Sequence, residues 1–164
     1  MITYEDLLTA RASGEAAVIG LVEKAVREHV GTEFYRTAAD AVLYDRHRNP
    51  TIEKYQKFLW TVSGQKVPDF VSANWKTKNG FFPYFVIQET AHLLGNGVTF
   101  REPKTKERLG VTFDGDILQA AHDAVVCGEV YVLYNLDHIE HYTPLEFVPI
   151  QSEVTGALMA GVRW

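Results

Sequence analysis

Apolar positions in the first half of the chain recur at helical spacing. In "SGEAAVIGLVEKAVREHV" Val18, Leu21, Val22, Ala25 and His29 share one face and Glu15, Glu23, Lys24 and Glu28 another, which predicts an amphipathic helix with Ser13 as its N-cap. A second helix is predicted from Thr32, burying Phe34, Ala38, Ala41 and Val42 before the polar stretch "YDRHRNP". Asn49 before Pro50 reads as an N-cap followed by the first helical position, and Ile52, Tyr55, Gln56 and Leu59 carry the spacing on towards Gly64. Between Gly64 and Gly80 the period is lost. "QKVPDFVSANWKTKNG" is polar and broken by Pro68, and it predicts a long surface loop of the kind that often meets a partner. Helical spacing resumes in "FFPYFVIQETAHLL", where Phe82, Phe85, Val86 and Leu93 lie along one stripe.

The second half is mixed. Two copies of "VTF" read as short strands around a charged turn, "EPKTKERLG", and a helix follows from about Asp114 to Cys127. Ile117, Leu118, Ala121, Ala124 and Val125 form its predicted buried face, and Gly128 stands where a helix commonly closes. The period then changes to two. "EVYVLYNLD", "TPLEFVPI" and "GALMAGVRW" are strand-like, separated by turns at "LDHIEHY" and "QSEVTG", which predicts a three-stranded antiparallel meander. The fold class expected is α+β in a single domain over 1–164, with N-terminal helices followed by a helix and a small antiparallel β-sheet.

Composition narrows the function. Of the 164 residues, 16 are Lys or Arg and 21 Asp or Glu, a net charge of −5 that gives no general attraction to nucleic acid or anionic membrane. Cys127 is the single cysteine, so neither an intramolecular disulfide nor a cysteine-based zinc site can form. The start "MITYEDLL" lacks the pattern of a signal peptide, and no apolar run approaches the ~20 residues of a membrane span. A soluble, intracellular protein without a membrane partner is predicted.

Four groups of residues could carry chemistry. The glycines of "LLGNGVTF" could cradle a phosphate, but Val98 and Thr99 stand where a P-loop needs Lys and Ser/Thr, and Phe100 stands where a dinucleotide fingerprint needs glycine. Gly95 as a left-handed helix terminus explains them better. "DHIEH" crowds Asp137, His138, Glu140 and His141 into five residues, in an order and spacing unlike a zincin, and predicts a solvated hairpin tip. Cys127, at a helix end with no base paired to it, reads as a small buried thiol. Two basic islands, Arg46 and Arg48 in "DRHRN" and Lys76 and Lys78 beside Trp75 in "NWKTKN", combine cations with an aromatic and are candidate subunit or partner contacts. No catalytic, cofactor-binding or metal-binding residue is assigned, and no enzyme activity or cofactor is expected. Two other readings stay open: a metal-dependent hydrolase using His138, Glu140, His141 and His122, and a nucleic-acid-binding module using Lys76, Lys78 and Arg48.

Taken in order, "LYDRHRNPTIEKYQKF", "VPDFVSANWKTKNGFFPYFVIQETAHLLGNGVTF", "NLDHIEHYTPLEFVPI" and "TGALMAGVRW" resemble the N-terminal part of portal proteins from long-tailed bacteriophages and their prophages. The resemblance runs from roughly Tyr35 to Trp164. It implies a non-enzymatic ring subunit, of which this region is the α+β wing. Such rings, usually dodecamers at one capsid vertex, surround the channel for double-stranded DNA. They meet terminase, scaffold or capsid protein and head-completion proteins. The implied location is the virion, with the host cytoplasm during assembly. Portal proteins continue into stem helices, a clip and DNA-facing loops where this chain stops at Trp164, so the resemblance implies a wing fragment or a truncated product.

Overall fold

The computed structural model describes residues 2–136 and 138–164. Four helices open the chain: α1 (Tyr4–Ser13), α2 (Glu15–Val30), α3 (Glu33–Asp45) and α4 (Pro50–Lys54). α1 is a helix that the apolar spacing did not predict, and it forms because Thr3 and Asp6 make a reciprocal capping box. Ser13 therefore ends α1, with its hydroxyl donating to the Thr9 carbonyl, and does not cap α2. Gly14, at φ 114°, makes the break between them. The other expected caps hold, since the side chains of Thr32 and Asn49 accept from the backbone N–H of Tyr35 and Ile52. Phe34, expected inside, is exposed, and Ala38 is the buried residue of α3.

The helix expected to run on to Gly64 ends at Lys54, and β1 (Phe58–Trp60) pairs antiparallel with β2 (Lys66–Pro68), Leu59 opposite Val67. Aromatic and β-branched residues favour this hairpin over the coincidental helical spacing of Ile52, Tyr55, Gln56 and Leu59. Gly64, at φ 77°, turns the chain between the strands. The predicted loop thus contains a strand, and only the segment after Pro68 is irregular.

α5 (Phe81–Leu94) forms as expected, but it buries Pro83, Val86 and Thr90, while Phe85 and Leu93 of the predicted stripe are 59% and 63% exposed. α6 (Pro103–Arg108) replaces the predicted charged turn, and neither "VTF" is a strand. The two instead meet through their rings, Phe100 and Phe113, whose centroids lie 5.5 Å apart. α7 (Phe113–Cys127) closes at Gly128, φ 89°, as expected. Its fully buried residues are Phe113, Ala120, Val126 and Cys127, whereas Leu118 is exposed.

The last third is not a three-stranded meander. β3 (Tyr131–Asn135) pairs with β4 (His138–Tyr142), and β5 (Phe147–Gln151) pairs with β6 (Leu158–Arg163), both antiparallel and in separate two-stranded sheets. Most of the expected turn "LDHIEHY" is therefore strand, with Leu136 at φ 57° turning the hairpin. Aromatic side chains bridge the two hairpins: Phe147 lies 4.7 Å from Tyr131 and is stacked on Tyr142, and the Arg163 guanidinium sits 4.8 Å over Tyr142. The fold is mixed α+β with small antiparallel sheets.

Two modest apolar clusters hold it together. Ala38, Val86, Val126 and Cys127 join α3, α5 and α7, and Ile2, Ala25 and Val148 join the start of the chain and α2 to β5. His29 adds a link, its Nε2 lying 2.7 Å from the Pro144 carbonyl oxygen and its ring edge-on to Trp164.

Candidate partner interface

Residues 50–80 form a small lobe on which four of the five candidate contact residues converge. The Glu53 carboxylate of α4 faces Lys78 at 2.5 Å and Arg48 at 3.5 Å, while the Lys76 ammonium donates to the Glu53 backbone carbonyl. The Lys78 hydrogen bond, followed by the charges of Lys78 and Arg48, holds the Glu53 carboxyl below its ordinary range. The basic islands thus fasten the irregular segment to α4. Asp69 does the same job at the other end. Buried at 5% exposure, its Oδ1 accepts from the N–H groups of Val71 and Ser72, and hydrogen bonding with Ser72 lowers its carboxyl. Lys57 donates to the Ala73 carbonyl, Asn74 to that of Tyr55, and Gln56 to that of Asp69.

These polar anchors hold the backbone while its large side chains point outward. Trp75 is 88% exposed, Trp60 72% and Val71 94%, with Phe70 beside them. Burying Trp75 alone against a partner would remove a large apolar area from water, and tryptophan is the residue most enriched among contacts that dominate binding. Arg46, the remaining candidate, is exposed at the end of α3 and takes no part in the Glu53 group. The sequence reading missed Trp60, Phe70 and Val71. For Phe70 and Val71 the available signal was apolar residues in a segment without period; Trp60 lay in the stretch read as helix.

The glycine stretch does bind an anion, its own. Gly97, at φ 70°, and Val98 wrap the Asp114 carboxylate: a Cβ on Gly97 would stand 3.2 Å from it, and the Val98 N–H points at it from 3.4 Å. Lys106 completes the pairing at 2.5 Å and lowers the Asp114 carboxyl. The left-handed residue is Gly97 and not Gly95, which has the right-handed φ of −59°.

The four residues of the hydrolase reading are divided between two faces. Glu140 accepts from Asn135 and Tyr142 and lies 3.2 Å from His138, an arrangement confined to the β3–β4 hairpin. His141 turns the other way, to Asp123 of α7 at 3.1 Å, and His122 meets the same carboxylate at 3.2 Å. Asp137 lies outside the described residues. Among the described residues no group of three or more His, Cys, Asp or Glu is placed to hold a metal ion. Asp123 thus acts as a node joining the hairpin to α7, a role that its sequence neighbours do not announce. Cys127 is buried, and burial together with Asp123 and Asp45 pushes its thiol up to about 11, so thiolate is scarce at neutral pH.

Compared with models of known families and with curated proteins, the chain gives no match. Among the described residues no helix is long and apolar enough to cross a membrane.

Proposed function

We propose that this chain is a structural, non-enzymatic part of a phage or prophage portal ring, corresponding to the wing region. The observation that carries the reading is the amount of surface left uncovered. The accessible surface is 11791 Å², whereas a compact monomer of 18.5 kDa exposes about 8,200 Å². The difference, roughly 3,600 Å², exceeds the ~800 Å² that each partner contributes to a standard interface several times over. Large apolar side chains occupy much of it, from Trp60 and Trp75 on the lobe to Phe81, Phe85 and Leu93 on α5. A subunit that meets neighbours on more than one side has such a surface. The order of motifs from Tyr35 to Trp164 supplies the identity of the assembly. In this role the partners are other portal subunits, capsid or scaffold protein, terminase and head-completion proteins, with double-stranded DNA in the channel. The location is the portal vertex of the virion.

The test is immunogold electron microscopy of particles produced by the phage or prophage that carries the gene. Antibodies against residues 1–164 are expected to label a single vertex, where the tail joins. Label spread over the capsid faces, or particles without label in which the protein is undetectable by immunoblot, would overturn the reading.

A further inference from the structure

Asparagine is followed by glycine at two places in the chain, Asn79-Gly80 and Asn96-Gly97, and the fold sets these pairs at opposite ends of α5. Such a pair can react with itself. The glycine nitrogen loses its proton and bonds to Cγ of the asparagine, whose side-chain nitrogen leaves as ammonia. A glycine has no Cβ to hinder this approach, and the attack is intramolecular. Water then opens the cyclic imide at one of its two carbonyls, giving aspartate or isoaspartate. One amide and one water thus become one carboxylate and one ammonium, and water is the sole co-reactant. The first step needs a glycine N–H that is unengaged and can shed its proton.

We propose that Asn79 is a site of covalent modification, deamidating to aspartate and isoaspartate in the folded chain while Asn96 is protected. Both asparagines are exposed, so solvent access does not separate them. Hydrogen bonding does. The Gly97 N–H donates to the Leu94 carbonyl at 2.8 Å, and attack on Asn96 would have to break that bond. Among the described residues neither the Gly80 N–H nor the Asn79 side chain has a hydrogen-bond partner. Electrostatics acts in the same direction. Gly97 lies just past the C-terminal end of α5 and against the Asp114 carboxylate, and both disfavour an anionic nitrogen. Gly80 is the N-cap of the same helix, where the dipole favours one. Position 80 also has to remain glycine, because a Cβ there would stand 2.7 Å from Nδ1 of His47. The packing that fixes this glycine therefore keeps Asn79 reactive. The product places a new carboxylate between Lys78, which is held on Glu53, and the start of α5.

The test follows both asparagines in one sample of the 164-residue chain, aged in mildly alkaline buffer. Peptide mass spectrometry reads the conversion of each amide to a carboxylate, and enzymatic methylation of isoaspartyl groups reads the rearranged product. In the folded chain Asn79 is expected to convert at least about tenfold faster than Asn96, the factor that ~1.36 kcal/mol of barrier gives. In guanidinium chloride, where the helix end and the Leu94 hydrogen bond are lost, the two rates should draw together. Asn79→Ser, a change at an exposed position, should abolish the early isoaspartate signal. Asn96 converting as fast as Asn79 in the folded chain would overturn the proposal, as would an Asn79 that stays an amide there while converting in denaturant. A contrast that persists unchanged in denaturant would also overturn it, since the fold would then have no part in the selection.

Discussion

At the scale of single residues the polar groups serve the fold. Glu53, Asp69, Asp114 and Glu140 each hold an irregular or exposed piece of backbone in place, and each carboxyl is lowered by the hydrogen bonds it accepts. Glu140 is the strongest case. Hydrogen bonds from Tyr142, then Asn135 and His138, bring it from 4.5 down to about 2. A carboxyl whose folded value is depressed contributes stability that is complete above its unfolded value and disappears as pH falls through the folded one. Replacing Glu140 by Gln should therefore destabilise the β3–β4 hairpin at pH 7, and the gap between variant and parent should narrow between pH 4.5 and about 2. Melting temperatures of both proteins across that window check this. A gap that stays constant with pH would show that the carboxylate charge plays no part.

At the scale of elements the hairpins depend on side chains from outside their own ladders, because an isolated two-stranded hairpin is marginal in water. Gly161 on β6 shows this most sharply. A Cβ there would stand 1.9 Å from Cζ of Phe147, whose ring is held by Tyr131 and Tyr142 and cannot swing away freely. Gly161→Ala should therefore cost about 1–3 kcal/mol, the range for overpacking a filled site, when urea unfolding is compared with the parent. Gly20→Ala, in α2 with open space around it, should do the reverse and stabilise by up to ~1 kcal/mol through helix propensity. Equal effects at the two glycines would mean that the Phe147 stack is absent in solution. Much of this level was legible in the sequence where the cause is local. Thr32, Asn49 and Gly128 bound their helices through cap chemistry spanning three or four residues. It was illegible where the cause is distant or where two periods coincide. Ile52, Tyr55, Gln56 and Leu59 fit a helix by spacing, yet Leu59 lies in a strand opposite Val67. The strand character of "HIEHY" comes from pairing with Tyr131–Asn135 and from the Asp123 anchor. The candidate contact residues were found by their types. The convergence of Arg48, Lys76 and Lys78 on Glu53, which is 25 residues from Lys78 in the chain, could not be read from any short window.

At the scale of the whole molecule two small apolar clusters hold together a chain that leaves many large apolar side chains uncovered. That balance has a measurable consequence in denaturant, because the urea dependence of unfolding scales with the surface that unfolding exposes. An unfolded chain of this mass exposes roughly 27,000 Å². Folding to 11791 Å² then buries about a fifth less than folding to the area of a compact monomer would. The chain, held dilute enough to be monomeric, should show an m-value about a fifth below that of a compact two-state domain of 164 residues. If copies associate at higher concentration, as the ring proposal requires, the transition midpoint should rise with concentration, since association adds to the stability of the folded state alone. An m-value at the compact level would mean that the lobe and α5 fold back onto the body in solution. Their apolar faces would then be covered from within, and neither a neighbouring copy nor a capsid protein would find them.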